Sequence, residues 1–486
     1  MSRTLGELIA GEAALPQGGA SLRIEGLAAD SREVRPGFVF AALPGTQADG
    51  ARFIPQAIAA GAVAIIAGEG VQAAGLPVIA SANPRRLYAR MAARFFGAQP
   101  DVVVAVTGTS GKTSVASFVR EIWTALGLRA ASLGTVGAVS PAGAIALEHT
   151  TPDAMTLQRI AADFAAEGVS HLAIEASSHG LDQFRLDGLR ISAAGFTNLS
   201  HDHLDYHPSV EAYFNAKMRL FEDLLAPGGA AVINADGEHG GEVIRRAAAR
   251  GLRVWSVGRR GEAIRLCDVT RGAAGQQVEI EMAGKRWSFM LPLVGDFQVS
   301  NALVAAGLVM STGGDPARVV TALEGLRGAR GRLELVGRST SGAPVFVDYA
   351  HKPDALENAL ASLRPYAAGR LVVVFGCGGD RDRAKRPLMG AIAARLADKV
   401  YVTDDNPRSE DPSAIRAAIL AAAPGATEIG SRAGAIRAAI ADLGPGDVLV
   451  VAGKGHEEGQ KIGKQILPFS DHAAVLAAIE GRDYHG

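Results

Sequence analysis

The chain has 486 residues, with 49 Lys and Arg against 50 Asp and Glu, for a formal net charge of −1. That balance leaves no overall basic footprint pointing to nucleic acid, and the length suggests about three domains at ~150 residues each. Cys267 and Cys377 are the only cysteines; alone they make neither a disulfide framework nor a structural zinc site. No apolar run approaches the ~18 residues of a membrane helix, and the opening MSRTLGELIAGEAALPQGG lacks the continuous apolar core of a signal peptide. A globular α/β protein of the cytoplasm, without a membrane span, is expected.

In chain order, the first segment, to about residue 98, alternates short strand-like runs (GFVFAAL, AVAIIA, LPVIA) with helical ones. NPRRLYARMAARFFG then reads as a helix with one apolar and one basic face, ending at Gly97. PDVVVAVTGTSGKTSVASFVREIWTALG follows: an apolar strand, a Gly-rich turn and a helix, the way a nucleotide-binding domain begins. From PVFVDYAHKPDAL onward a βαβ rhythm restarts, with the apolar strands of RLVVVFGCGGDRDR, KVYVTDDNPRSEDP and DVLVVAGKGHEEG each running into a charged loop. Ligands of open α/β sheets bind outside the carboxyl ends of the strands. A charged ligand is therefore expected on these last loops. The expected domains are 1–98, 99–332 and 333–486, with a P-loop-type central ATPase domain and a Rossmann-like C-terminal one.

Residues 107–114, TGTSGKTS, hold the parts of a phosphate loop. Gly108 and Gly111 permit close backbone approach, Thr109, Ser110 and Ser114 lie on the same loop, Lys112 brings charge, and the Thr113 hydroxyl suits Mg²⁺. Val106 stands where GxxxxGK[ST] has its first glycine. An ordinary strand–helix turn is the plain alternative; the preceding strand and the Gly-Lys-Thr triplet favour a nucleotide.

Two further segments carry candidate chemistry. HLAIEASSHGLDQFR places Glu175 at the end of a strand, and FTNLSHDHLDYH holds His201, His203 and His207. Zinc and Mg²⁺ both suit such a loop in principle; the lack of cysteines and the phosphate loop favour His203 near Mg²⁺, with the others as polar loop residues. In SVEAYFNAKMRLFEDLLA, Lys217 falls on the stripe of Val210, Phe214, Phe221 and Leu224. It is either a lysine whose head snorkels to water or a buried one pushed toward its neutral, nucleophilic form.

The shortened loop TGTSGKT resembles that of the Mur ligase and folylpolyglutamate synthetase superfamily, and DYAHKPDAL and GRLE extend the resemblance to the Mur ligase family over almost the whole chain. The resemblance implies carbamylation of Lys217, with one Mg²⁺ at Thr113 beside the ATP phosphates and a second held by Glu175, His203 and the carbamylated lysine. It implies an ATP site continuing through Asn301, Arg332 and Asp348. It also implies a UDP-muramoyl-dipeptide site at Ala29, Ser31, Thr46, Gln47, Ala48, Thr150, Thr151, Ser177, Gln183 and Arg185. His149 stands where relatives often have Asn. The implied reaction activates the D-glutamyl γ-carboxylate of UDP-N-acetylmuramoyl-L-alanyl-D-glutamate with ATP, giving an acyl phosphate that an amino acid's amine attacks. The co-substrate implied is meso-diaminopimelate, and a monomer active in peptidoglycan synthesis is expected.

The stretch DDNPR bears on the amino acid. A second carboxylate calls for an arginine fork, which Arg408 supplies, and Asn406 bonds to the same head; the resemblance adds Arg381, Asp405, Pro407, Gly453 and Glu457. The alternatives are a sister ligase that adds L-lysine and, further off, folylpolyglutamate synthetase.

Overall fold

The computed structural model describes residues 2–45, 49–73, 75–200, 202–203, 205–272 and 275–484. Compactness divides the chain into one unit of Met1–Leu266, Ile280–Trp287 and Ser300–Ala322, and another of Cys267–Glu279, Ser288–Val299 and Leu323–Gly486.

The first unit opens with a four-stranded parallel sheet, Gly26–Ala28, Phe38–Ala41, Ala62–Ala67 and Val78–Ala80, in chain order. Its strands are apolar runs without polar alternation because both faces are covered. Val39, Ala41, Ala64 and Ile66 enter one core cluster; their neighbours Phe40, Ala42, Ile65 and Ala67 enter another. The expected helix spans Pro84–Phe96, capped by the Asn83 side chain at its start and by Gly97 at φ 76 at its end.

A larger sheet follows in the same unit. Ala130–Gly134, His171–Glu175, Val102–Thr107, Ile191–Phe196, Ala230–Asn234 and Arg253–Gly258 run parallel in that spatial order. Val102–Thr107 comes first in the chain but lies in the middle, so strand order reverses around it. The phosphate loop leaves its carboxyl end, the position at which an open α/β sheet forms a crevice.

The second unit holds Glu334–Arg338, Pro344–Asp348, Val448–Ala452, Leu371–Phe375, Lys399–Val402 and Thr427–Glu428 in one sheet, the first pair antiparallel and the rest parallel. The last of these strands in the chain, Val448–Ala452, inserts between two earlier ones. Three charged loops are thereby brought side by side: residues 376–383 after Leu371–Phe375, 403–408 after Lys399–Val402, and 453–458 after Val448–Ala452. Alternate residues again serve opposite faces, Val373 and Val450 on one, Val372, Leu449 and Val451 on the other.

The long helix expected around Lys217 differs in detail. Ser209 caps it, the α-helix runs Val210–Arg219, and a π-helical turn, Leu220–Leu224, ends it. Val210, in the first turn, is 37% exposed and leaves the expected apolar stripe; Phe214, Lys217 and Phe221 remain on the buried side.

Candidate active site

The phosphate loop is built against the end of the neighbouring strand Ile191–Phe196. Thr109 N donates to Asn198 O at 2.9 Å, Ser110 N to Asn198 Oδ1 at 3.0 Å, and Thr197 Oγ1 to Ser110 O at 2.6 Å. A Cβ on Gly108 would collide with Thr197 Oγ1, and one on Gly111 with Asn301 Oδ1; both glycines have positive φ. Gly111 caps the helix Lys112–Ala125 without a side chain, leaving the first-turn amides to an anion. Lys112 Nζ donates to Gly108 O at 2.9 Å and Thr109 O at 2.8 Å. Asn301 thus comes to the loop; Ser114 is buried in the first turn of that helix.

Glu175, 1% exposed, gathers three donors at the adjacent strand end. Thr113 Oγ1 donates to its Oε2 at 3.0 Å, Thr135 N to Oε1 at 2.8 Å and Thr135 Oγ1 to Oε2 at 3.2 Å. Thr135 was not foreseen. Its signal was present: it follows Gly134 at the end of a strand, and a Cβ on that glycine would collide with Glu175 Oε1.

Lys217 is not a snorkelling residue. It is 1% exposed and its Nζ donates to Gly108 O at 2.8 Å, the carbonyl that Lys112 also uses. Burial, with the Lys112 charge adding to it, pushes its pKa well below the ordinary lysine range. Nζ also lies 4.2 Å from the Tyr213 ring centroid, and burial raises that phenol to about 12. Tyr213 OH is 3.0 Å from Thr109 Oγ1. His203 packs edge-on at 6.0 Å from the same ring and at 4.9 Å from His179; His207 and Tyr206 complete the aromatic cluster. His179, two residues past Ser177, escaped a reading that looked for ligands in the later His-rich loop. His201 lies outside the described residues.

The expected substrate wall adjoins this cluster. Thr151 Oγ1 donates to Glu175 O at 2.7 Å and accepts from Ser177 N at 3.0 Å, while Arg185 donates to Thr151 O at 2.6 Å and to Gln183 Oε1 at 2.8 Å. Thr150 Oγ1 is 3.0 Å from Thr135 Oγ1. Ser177 Oγ accepts from Gly180 N and caps the short helix Ser178–Asp182. His149 is exposed. On the four-stranded sheet, Ala29 follows the first strand and Ser31 is buried, its hydroxyl donating to Gln56 Oε1 at 2.9 Å. Thr46, Gln47 and Ala48 lie outside the described residues.

In the second unit, Asp348 accepts from Leu333 N at 2.7 Å and Ala350 N at 2.8 Å; burial raises its pKa and Arg332 opposes the shift. Arg332 stacks 5.0 Å from the Tyr349 ring centroid. On the three adjoining loops, Arg408 sits at φ 51 and donates to Gly379 O at 2.7 Å. Asn406 Nδ2 donates to Glu457 Oε2 at 2.9 Å. A Cβ on Gly453 would lie 2.7 Å from Asp405 Oδ2. Pro407 carries the turn between Asn406 and Arg408, and Arg381 is exposed, donating to Asp380 O at 3.2 Å. The hairpin Gly459–Ile462 and Gln465–Pro468 braces this turn: Arg408 N donates to Lys461 O at 3.0 Å and Gly463 N to Arg408 O at 2.7 Å.

A phosphate loop at the switch point of one sheet, with a second, Rossmann-like sheet carrying charged loops, defines an α/β nucleotide-dependent enzyme. The chain belongs to the Mur ligase family, enzymes that form amide bonds at the expense of ATP. Family descriptions match in chain order: "Mur ligase family, catalytic domain" over residues 23–96, "Mur ligase middle domain" over 106–309, and "Mur ligase, glutamate ligase domain" over 331–455. It is 60% identical to the UDP-N-acetylmuramoyl-L-alanyl-D-glutamate--2,6-diaminopimelate ligase of Bradyrhizobium diazoefficiens, across 98% of this chain and 99% of that one. The enzyme of the same name from Mesorhizobium japonicum is 57% identical across 95% of this chain and 96% of its own. A solved structure of a ligase of that name superposes with a TM-score of 0.75 at 33% identity, covering 99% of both chains. Among the described residues no helix is long and apolar enough to cross a membrane.

Proposed function

We propose that this enzyme joins meso-2,6-diaminopimelate to the D-glutamyl γ-carboxylate of UDP-N-acetylmuramoyl-L-alanyl-D-glutamate, using ATP, in the cytoplasmic stage of peptidoglycan synthesis. The observation that carries the choice of amino acid is Arg408, held by Gly379 O, two residues from Asn406, which bonds Glu457. These residues set a braced guanidinium and a braced carboxylate on adjoining loops. An amino-acid head has one carboxylate and one ammonium, and this set offers a partner for each. Lysine has no second carboxylate for Arg408, and a site built for a polar group rejects an analogue lacking it. We take the enzyme to act as a monomer, with domain boundaries at 98/99 and 332/333.

The γ-carboxylate attacks the γ-phosphorus of ATP in line; the bond to the β,γ-bridging oxygen breaks, and acyl phosphate and ADP form. The amine then attacks the acyl carbon, phosphate leaves with the bonding pair, and the ammonium proton is lost to solvent. Lys112 and the first-turn amides of Lys112–Ala125 hold the phosphate charge. Arg185, braced by Gln183 and Thr151 O, serves the peptide's carboxylate end. Glu175 and the Thr113 hydroxyl, in contact at 3.0 Å, form a hard oxygen set of the kind Mg²⁺ takes. A second Mg²⁺ would be held by Glu175, His203 and carbamylated Lys217. The carbamate would supply an anionic oxygen there. The buried Lys217 amine, held toward its neutral form, attacks CO₂ and loses a proton to give that group. Bound Mg²⁺ supplies charge neutralisation between carboxylate and phosphate.

A phosphate-release assay with the UDP-muramoyl dipeptide, ATP and a panel of amino acids tests the reading. Turnover specific to meso-diaminopimelate is expected; comparable kcat/KM with L-lysine refutes the amino-acid assignment.

A further inference from the structure

Behind the amino-acid loops lies a lysine to which the reaction scheme gives no task. Lys454 is completely buried. Its Nζ donates to Asn406 Oδ1 at 2.9 Å and to Glu457 Oε2 at 3.3 Å. Asn406 Oδ1 also accepts from Lys461 N, at 2.9 Å, and Gln460 Nε2 donates to the carbonyl of Asp405 at 2.7 Å. Three segments, residues 405–408, 454–457 and the start of the hairpin, therefore converge on one side-chain amide.

The chemistry of the donors decides what this does. An asparagine amide has an oxygen face and a nitrogen face of nearly equal shape, and its orientation follows from its partners. An ammonium donates and never accepts. With Lys454 and the Lys461 N–H both on one side, Oδ1 must face them, and Nδ2 must face Glu457. The same ammonium and the Asn406 amide both bond Glu457 Oε2. Glu457 Oε1 has no hydrogen-bond partner among the described residues, and the side chain is 36% exposed. One oxygen is held and the other is left for a further donor. Burial lowers the pKa of Lys454, while the nearby Asp405 and Glu457 carboxylates act to keep it charged.

We propose that Lys454 is a positioning residue for the amino-acid substrate: it fixes the Asn406 amide and the Glu457 carboxylate in the one arrangement that presents Oε1 to a substrate ammonium. The inference rests on the proposed function, in that these loops take the amino acid. Without Lys454 the amide keeps only the Lys461 N–H on its oxygen side and Glu457 keeps only the Asn406 amide, so both are held less firmly, and the loss falls on amino-acid binding and not on the phosphate loop or the uridine end.

The test is steady-state kinetics of the intact enzyme, with KM measured separately for ATP, the UDP-muramoyl dipeptide and meso-diaminopimelate, in wild type, Lys454→Met and Lys454→Gln. Removing a hydrogen bond to a charged group raises KM for the amino acid by about 10–100-fold in Lys454→Met. Lys454→Gln, which keeps a donor, falls between it and wild type. KM for the other two substrates stays within about 2-fold, and kcat at saturation within about 3-fold, as for loss of uniform binding. An unchanged amino-acid KM overturns the proposal. So does a parallel rise of all three KM values with a lowered melting temperature, which marks a purely structural lysine. If Lys454→Met does not fold, the same split read on Lys454→Gln decides. A wild-type enzyme that prefers another amino acid overturns the substrate assignment alone, and the split measured with that amino acid still tests Lys454.

Discussion

Removing the Arg408 guanidinium should abolish discrimination between meso-diaminopimelate and L-lysine. The side chain is held by Gly379 O at 2.7 Å, and a Cβ on Gly378 would lie 2.7 Å from the same guanidinium nitrogen. The fork therefore has little freedom to swing away. In Arg408→Ala the distal carboxylate of the substrate loses charge-assisted hydrogen bonds of about 1.5–3 kcal/mol each. At about 1.36 kcal/mol per decade, kcat/KM for meso-diaminopimelate falls by about 10²–10⁴-fold. L-lysine loses nothing, because it never engaged the fork, and its kcat/KM holds or rises. Phosphate release at saturating ATP and UDP-muramoyl dipeptide, with each amino acid varied in turn, reads the ratio. Preservation of the wild-type preference in Arg408→Ala would refute the assignment. The backbone adds a control. Arg408 is at φ 51, where a residue with a Cβ is disfavoured by about 1–2 kcal/mol. Arg408→Gly should thus lose the same selectivity as Arg408→Ala yet melt at a higher temperature than the alanine variant.

Lys112→Ala should abolish turnover while UDP-substrate affinity, measured by calorimetry, stays within about 2-fold, as expected for a group confined to phosphate charge; normal turnover would remove the phosphate-loop assignment. Gly111→Ala drives a Cβ into Asn301 Oδ1 at a positive φ, so the loop is displaced and ATP affinity should drop by about 10-fold or more, and wild-type affinity would show the loop can shift freely. Burial lowers the folded pKa of Lys217, so in CO₂-free buffer the unfolded chain binds more protons and the lysine's contribution to stability falls as pH drops from about 10.4 toward that lowered value. Lys217→Met should remove this slope, raise the melting temperature at neutral pH and abolish activity; an unchanged slope or full activity contradicts the buried-amine reading. Asp471→Asn leaves the fully buried Arg432, now held by two 2.7 Å bonds, with only the Asp405 carboxylate at 4.0 Å as counter-charge, and denaturant unfolding should show a loss of about 3 kcal/mol.

What could be read from the sequence was what neighbours along the chain decide. Fully buried parallel strands announce themselves as unbroken apolar runs, and Asn83 and Gly97 mark the ends of Pro84–Phe96 because capping is a local hydrogen-bond problem. The charged loops after Leu371–Phe375, Lys399–Val402 and Val448–Ala452 were legible for the same reason. That they meet at one ligand was expected too, but the strand order that brings them together was not legible, because it depends on the last strand inserting between earlier ones. Lys454 illustrates the limit. Within AGKGHE it looks like one more exposed lysine, and only its contact with Asn406, 48 positions earlier, reveals a buried one. Val210 was misread because periodicity along a helix does not say whether a neighbour covers its first turn, and here Val210 is 37% exposed.

Val106 shows how a departure from a local pattern is settled by the sheet. In a full-length phosphate motif that position is glycine, since the backbone has already left the strand and must bend toward the ligand. Here Val106 is still paired on both sides, with Glu175 in one neighbouring strand and Gly195 in the other. A β-branched residue suits such a place, and the bend is deferred to Gly108. There the constraint reappears in another form. A Cβ at Gly108 would occupy the space of Thr197 Oγ1, the hydroxyl that ties Ser110 O to the adjoining strand end. The loop loses two residues of length and takes its curvature from the neighbouring strand, and for that reason Thr197 and Asn198, silent in the motif, form the floor on which the phosphate-facing amides are arranged.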